Sequence, residues 1–302
     1  MSIRLVLLNL WLRAFAKPMV RRFHGPAQMR RGTERLASWI VREPTEICRL
    51  QIRLAGRDAL SLRAGQCVAG RVILYLHGGG YVTGSPWMYR GLTGRLAKLS
   101  GLEVIVPDYR LAPEAPVGAA LEDATAAFDA LVETGYDPSA IVLAGDSAGG
   151  GLAVALLSAL CQRGTPPAGV IALSPWTDLT CSGESLRLNA SKDAMLPVER
   201  LGDTCEMVLR GHDPTDPRFS PLFAEFPDPP PVLIQHSMAE ILCDDSLRVA
   251  ERLRDFGTDV TVQSWPDTPH VWHFFDGRIP EAREALEDAA AAARKMLNLP
   301  QR

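Results

Sequence analysis

The apolar run Ile141-Val142-Leu143-Ala144 leads directly into Gly145-Asp146-Ser147-Ala148-Gly149, and a glycine- and aliphatic-rich stretch over 150–157 follows without a break. That order of residues places a serine at a sharp strand-to-helix turn. Such a turn holds the serine in a strained backbone conformation, and a Cβ at Gly145 or Gly149 would collide with the neighbouring strand or helix. Ser147 is therefore a candidate nucleophile at the carboxyl end of a strand.

A second glycine loop lies upstream, where the apolar run Val72-Ile73-Leu74-Tyr75-Leu76 ends in His77-Gly78-Gly79-Gly80-Tyr81. Three glycines after a buried strand leave backbone N–H groups uncovered and able to point at a small anion, as a tetrahedral acyl intermediate requires. The two loops fit one active site. A cysteine nucleophile fits less well, because none of the six cysteines lies in a glycine-bracketed turn.

These blocks resemble the hormone-sensitive-lipase-like carboxylesterases, the bacterial branch of the α/β-hydrolases marked by HGGG and GDSAG. The likeness extends through Asp108-Tyr109-Arg110-Leu111-Ala112-Pro113-Glu114, Ala119-Ala120-Leu121-Glu122-Asp123-Ala124, Leu173-Ser174-Pro175-Trp176-Thr177-Asp178 and Ser220-Pro221-Leu222. It implies an α/β fold with a mostly parallel central sheet, helices on both faces and a helical cap.

Length and composition agree with one large core. The chain has 302 residues, of which 47% are hydrophobic and 22% charged, enough for a single domain of α/β type. A net charge of −3 gives no broad basic field for nucleic acid or anionic lipid. Cys48, Cys67, Cys161, Cys181, Cys205 and Cys243 show no CxxC pair or metal-like spacing, so reduced thiols, a cytoplasmic location and no metal or cofactor are expected.

The N-terminus imitates a short secretory signal, but Asn9 and Arg13 interrupt the apolar run. Leu8, Trp11, Leu12, Phe15 and Met19 recur at helical spacing, with Arg13, Lys17, Arg21 and Arg22 interleaved. A cap helix is expected, kinked or ended by Pro18. Such a basic amphipathic helix also allows peripheral contact with a membrane surface.

Residues 1–45 read as N-terminal cap helices and 46–302 as the catalytic domain, opening with a hairpin over 47–61 that turns at Gly56. The pattern then alternates: strand 71–76, helix 88–99, strand 103–106, helix 117–133, strand 141–144, helix 150–162, strand 168–173, strand 231–236, helix 244–256, strand 259–264, helix 280–296. Near-continuous apolar strands alternating with helices imply a parallel sheet covered on both faces. Over about 182–217 the strand rhythm gives way to helix-like spacing, as a second cap insertion would have it.

A serine at its ordinary pKa needs a base, and the base needs a carboxylate to orient it. Of six histidines, only His270 and His273 follow a late strand and precede a final helix. The acid is open among Glu240, Asp244 and Asp245, which follow the strand ending at His236, with Asp267 a fourth candidate. Asp244 and Asp245 also suit the first turn of a helix. The family resemblance selects His270, in its Pro266-Asp267-Thr268-Pro269-His270 block, and sets Glu240 in register with an Asp-Pro-Leu motif.

The same resemblance implies an oxyanion hole from the backbone of Gly79, Gly80 and Ala148, a turn at Gly78, structural roles for His77 and Asp146, and an internal ion pair around Asp108 and Arg110. Trp87, Met88, Trp176 and Trp272, with Trp39 of the cap, are the candidate pocket residues. The implied reaction is hydrolysis of short- to medium-chain, small apolar esters, with a homodimer as the family's common assembly. Lactone, amide and lysophospholipid hydrolases would use the same residues, and a non-catalytic binder on the same fold is the remaining alternative.

Overall fold

The structure is a computed structural model that describes all 302 residues except the side chains of Trp39, Ile40 and Val117. Its strands are β1 (Ile47–Leu54), β2 (Arg57–Ala64), β3 (Val72–Leu76), β4 (Glu103–Pro107), β5 (Ile141–Asp146), β6 (Gly169–Leu173), β7 (Val232–Ser237) and β8 (Val260–Trp265). They form one sheet in the order β1-β2-β4-β3-β5-β6-β7-β8. The β1/β2 and β2/β4 pairs are antiparallel and all the others parallel. Ala55 and Gly56 both take positive φ, 49° and 77°, which suits the tight turn of the first hairpin.

Alternation along β3 explains the layering. Val72, Leu74 and Leu76 enter one core with α5 (Val117–Glu133), α6 (Ser147–Gln162) and α9 (Cys243–Asp255). Ile73 and Tyr75 point the other way, into a core shared with α4 (Pro86–Ser100) and α10 (Pro280–Met296). Each fully buried aliphatic side chain contributes about 1.5–3 kcal/mol, and β3 to β7 are buried along their whole length. Local signals set the ends of α4: the Ser85 hydroxyl accepts the Met88 N–H at 3.3 Å, and Gly101 closes the helix at φ 68°.

The N-terminal segment departs from expectation. After α1 (Ile3–Trp11), a π-helical turn over Leu12–Ala16 runs into α2 (Lys17–Arg21), so Pro18 neither ends the helix nor breaks it. The Lys17 N–H donates to the Leu12 carbonyl five residues back, and the wider turn accommodates a residue that lacks an N–H. Leu5, Leu12 and Ala16 pack with Trp272, Phe275 and α10. Phe15, expected on the apolar packing face, is instead 64% exposed, and Ile3, Leu7 and Leu10 are exposed as well. No described helix is long and apolar enough to cross a membrane.

After α3 (Gly25–Ile40) comes the central sheet. The second segment without strands carries α7 (Ser185–Leu188), a 3-10 turn over Val198–Arg200 and α8 (Leu201–Leu209). The two helical segments meet: Lys17 Nζ donates to the carbonyls of Ala190 and Asp193, and Arg21 pairs with Glu199 at 2.7 Å.

Candidate active site

Ser147 begins α6 with φ 52°, a left-handed conformation that a side chain adopts only under constraint. A Cβ on Gly149 would lie 2.1 Å from the Leu76 carbonyl, and one on Gly145 2.3 Å from the Gly149 carbonyl. The first turn of α6 therefore sits hard against the end of β3. Ala148 is buried there, where the N–H groups have no carbonyl partner within the helix.

The glycine loop leaves β3 on the same side. Gly79 and Gly80 take φ 116° and 63°, and a Cβ on Gly79 would meet the Thr83 carbonyl at 2.2 Å. Gly78, expected at the turn, has no positive φ. It is glycine for space: a Cβ would lie 2.4 Å from Asp146 Oδ2. Its N–H donates to Asp146 Oδ1 at 3.1 Å and is thereby occupied.

Asp146 also accepts from the Tyr75 hydroxyl at 2.8 Å and the Tyr89 hydroxyl at 2.9 Å. Burial pushes its carboxyl up to about 6, against the hydrogen bonds of Tyr75 and Tyr89, which lower it. His77 stacks on Tyr109 with centroids 4.3 Å apart, and the Tyr109 hydroxyl donates to the His77 carbonyl at 2.5 Å. Burial pushes the His77 ring down to about 4. A neutral, packed imidazole of this kind shapes the loop. Arg110 pairs with Asp123 at 2.9 Å and with Glu122 at 2.8 Å, and Asp108 is not part of that pair.

His270 Nδ1 lies 2.5 Å from Glu240 Oε2, and both residues are buried. Glu240 Oε1 accepts the Ser237 N–H at 2.8 Å, which fixes the carboxylate. Desolvation opposes charge on the His270 ring, but the hydrogen bond and charge of Glu240, then the charges of Asp193 and Asp146, outweigh it and raise the pKa. Of the other acid candidates, Asp267 is exposed, and the remaining two are used elsewhere. Asp245 accepts the N–H groups of Thr177 and Asp178, and Asp244 that of Ser185. His273 is buried against Gln235 at 2.8 Å.

Ser147, His270, Gly79, Gly80 and Asp146 line one cavity of about 220 Å³. A family model for the alpha/beta hydrolase fold matches residues 73–274. Over 226 residues the chain is 43% identical to an acetyl-hydrolase of Streptomyces hygroscopicus, covering 74% of this chain and 76% of that one. An esterase of Acinetobacter venetianus is 36% identical over 270 residues, covering 89% and 88%. The crystal structure of an esterase from the bacterial hormone-sensitive lipase family superposes with a TM-score of 0.93 at 36% identity, covering 98% of this chain and 99% of that one. The chain belongs to the hormone-sensitive-lipase-like family of α/β-hydrolases.

The cavity of this hydrolase is roofed by both helical segments: Val20, Met29 and Leu36 from the first, Leu196, Leu201 and Thr204 from the second. Met88 and Trp176 line it as expected, whereas Trp87 and Trp272 do not. Trp87, in the first turn of α4, is 50% exposed, and Trp272 is buried against α1 and α10 in a separate cluster. Their spacing to the motifs gave no view of which face each would take. Trp39 lies outside the described side chains.

Two cap residues near the site escaped sequence reasoning. Arg200 lines the cavity and pairs with Asp203 at 2.5 Å. Asp193, 1% exposed, contributes to the field at His270. Neither belongs to a motif; an acid at the edge of a 3-10 and turn region reads as surface. Cys181 and Cys205, the latter on α8, are free thiols whose sulfurs lie 3.4 Å apart.

Proposed function

We propose that Ser147, His270 and Glu240 form the catalytic triad of this chain, with Gly79, Gly80 and Ala148 as the oxyanion hole. The chain is a carboxylic ester hydrolase, in keeping with the esterases and acetyl-hydrolases it resembles along most of its length. The single observation that carries the triad is the 2.5 Å contact between Glu240 and His270, a buried ring that lines one cavity with a serine held at φ 52°. His270 takes the Ser147 proton as Oγ attacks the ester carbonyl, and Glu240 steadies the imidazolium. The carbonyl oxygen gains negative charge against the glycine-loop and α6 N–H groups, each worth about 2–4 kcal/mol of transition-state stabilisation. His270 then protonates the leaving alcohol, and water, activated by the same ring, releases the acid.

A small, mostly apolar cavity favours short- to medium-chain esters. The test is hydrolysis of p-nitrophenyl esters from acetate to palmitate by wild type and Ser147→Ala. Turnover peaking at short chains and lost in the variant supports the reading. A folded wild type without turnover would move the assignment to a binding protein.

Ile3, Leu7 and Leu10 lie on one face of α1, exposed by 77%, 61% and 57%. We propose that this stripe rests on an anionic lipid surface, since the charged residues among the first 33 are all basic and Arg4, Arg13, Arg22 and Arg31 are exposed. Sedimentation with phosphatidylglycerol vesicles, lost in Leu7→Gln/Leu10→Gln, supports it. A stripe-dependent dimer without vesicle binding would assign the face to a second copy instead.

A further inference from the structure

The catalytic acid sits on a loop that the cap holds from above. Asn189 Nδ2 donates to the carbonyls of Met238 and Glu240, each at 2.9 Å. Asp193 Oδ2 accepts the Ile241 N–H at 3.0 Å, and the Ser185 hydroxyl donates to the Ile241 carbonyl at 2.7 Å. Three side chains from 185–193 thus satisfy four backbone groups of 238–241. Asn189 and Asp193 are 5% and 1% exposed, so none of these bonds is exchanged with water at low cost.

The grip is itself braced. Asp193 Oδ1 accepts the N–H groups of Met195 and Leu196, both at 2.8 Å. Lys17 of α2, 6% exposed, donates to the carbonyls of Ala190 and Asp193 at 2.8 and 2.7 Å. A buried ammonium on this segment offsets the charge of the Asp193 carboxylate. The N-terminal helix, the cap insertion and the catalytic loop are therefore one hydrogen-bonded unit.

We propose that Asn189 and Asp193 are positioning residues for catalysis: they fix the loop that carries Glu240, and Asp193 places a second carboxylate in the field of the His270 imidazole. This rests on the triad reading above. A glutamate has one more rotatable bond than an aspartate, so a fixed backbone beneath it matters more for holding a 2.5 Å contact. The cap is then part of the catalytic machinery as well as the wall of the pocket.

The groups facing His270 are Glu240, Asp193, Asp146 and His273; those facing Asp193 are His270, the backbone donors named above and Lys17. With a less negative surround the imidazolium is less stable, and the neutral base is available at lower pH. The experiment is the pH profile of kcat/KM on p-nitrophenyl butyrate for wild type, Asp193→Asn and Asn189→Ala. Asp193→Asn keeps an oxygen for Met195 and Leu196. It is expected to move the acid limb down by about half a unit or more and to lower kcat with little change in KM. Asn189→Ala removes no charge. It is expected to leave the limb in place, lower kcat about tenfold, and weaken the low-field imidazole N–H proton resonance.

A folded Asp193→Asn with the wild-type limb and kcat would reduce Asp193 to a structural buttress and overturn the proposal. If that variant does not fold, wild-type kcat and proton resonance in Asn189→Ala would overturn it equally. Full activity in Ser147→Ala is a different result, the failure of the triad reading itself.

Discussion

The carboxylate of Asp146 accepts the backbone N–H of Gly78 at 3.1 Å, and this bond joins the serine turn to the glycine loop. Tyr75 and Tyr89 donate to the same carboxylate from β3 and α4. Asp146→Ala would orphan three buried donors, at about 1–3 kcal/mol each, and release the glycine loop. Asp146→Asn keeps an oxygen for Tyr75 and Gly78, while the Tyr89 hydroxyl can turn to accept. Chemical denaturation should find the alanine variant far less stable than the asparagine one. Equal losses would mean that the network is not what joins the loops.

Gly149→Ala puts a methyl group 2.1 Å from a strand carbonyl. Backbone on both sides leaves nothing flexible to yield, so a loss of about 3 kcal/mol or more is expected. Gly202→Ala, where the added carbon meets nothing within 4 Å, is the control. A Gly149→Ala variant melting with wild type would refute the packing argument.

Shortening the acid tests reach. Glu240→Asp withdraws the carboxylate by one methylene from a 2.5 Å contact with His270, and Glu240→Ala removes it. Single-turnover rates should fall in the order wild type, aspartate, alanine, with the alanine variant down by about 10³–10⁴. Alanine activity within tenfold of wild type would transfer the acid's role to another carboxylate.

Burial holds His273 at about 3 and His77 at about 4, under the ordinary imidazole value of 6.5. Between those values and 6.5 the unfolded chain binds protons that the native chain refuses. Each ring therefore contributes stability that is present above 6.5 and lost as pH falls through that window. His273→Gln can keep the bond to Gln235 without titrating. Urea midpoints at pH 7 and pH 5 should show wild type losing about 2 kcal/mol more than the variant. Parallel losses would mean that His273 is protonated in the native state.

Much of the architecture was legible because each signal is local. The hairpin turn at Gly56 follows from a residue tolerant of positive φ between two alternating runs. The strands expected over 71–76 and 141–144, found at Val72–Leu76 and Ile141–Asp146, follow from apolar runs. Pro18 does not end the helix, because the widened turn that accommodates it depends on how Leu12 and Ala16 are packed against α10. Trp87 and Trp272 misled because hydrophobicity says that a side chain seeks cover and not which cavity will cover it.

The sequence alone determined the strand-turn-helix around Ser147 and the glycine loop after β3. Both arise from steric limits on neighbouring residues, which need no knowledge of distant chain. Tertiary structure decided which histidine and which carboxylate meet, that Asp146 and Gly78 are bonded across 68 residues, and that Asn189 and Asp193 hold the loop of Glu240. Those contacts join segments far apart in the chain, and their partners are set by how β7, β8 and the cap pack, a property that no local run of residues carries.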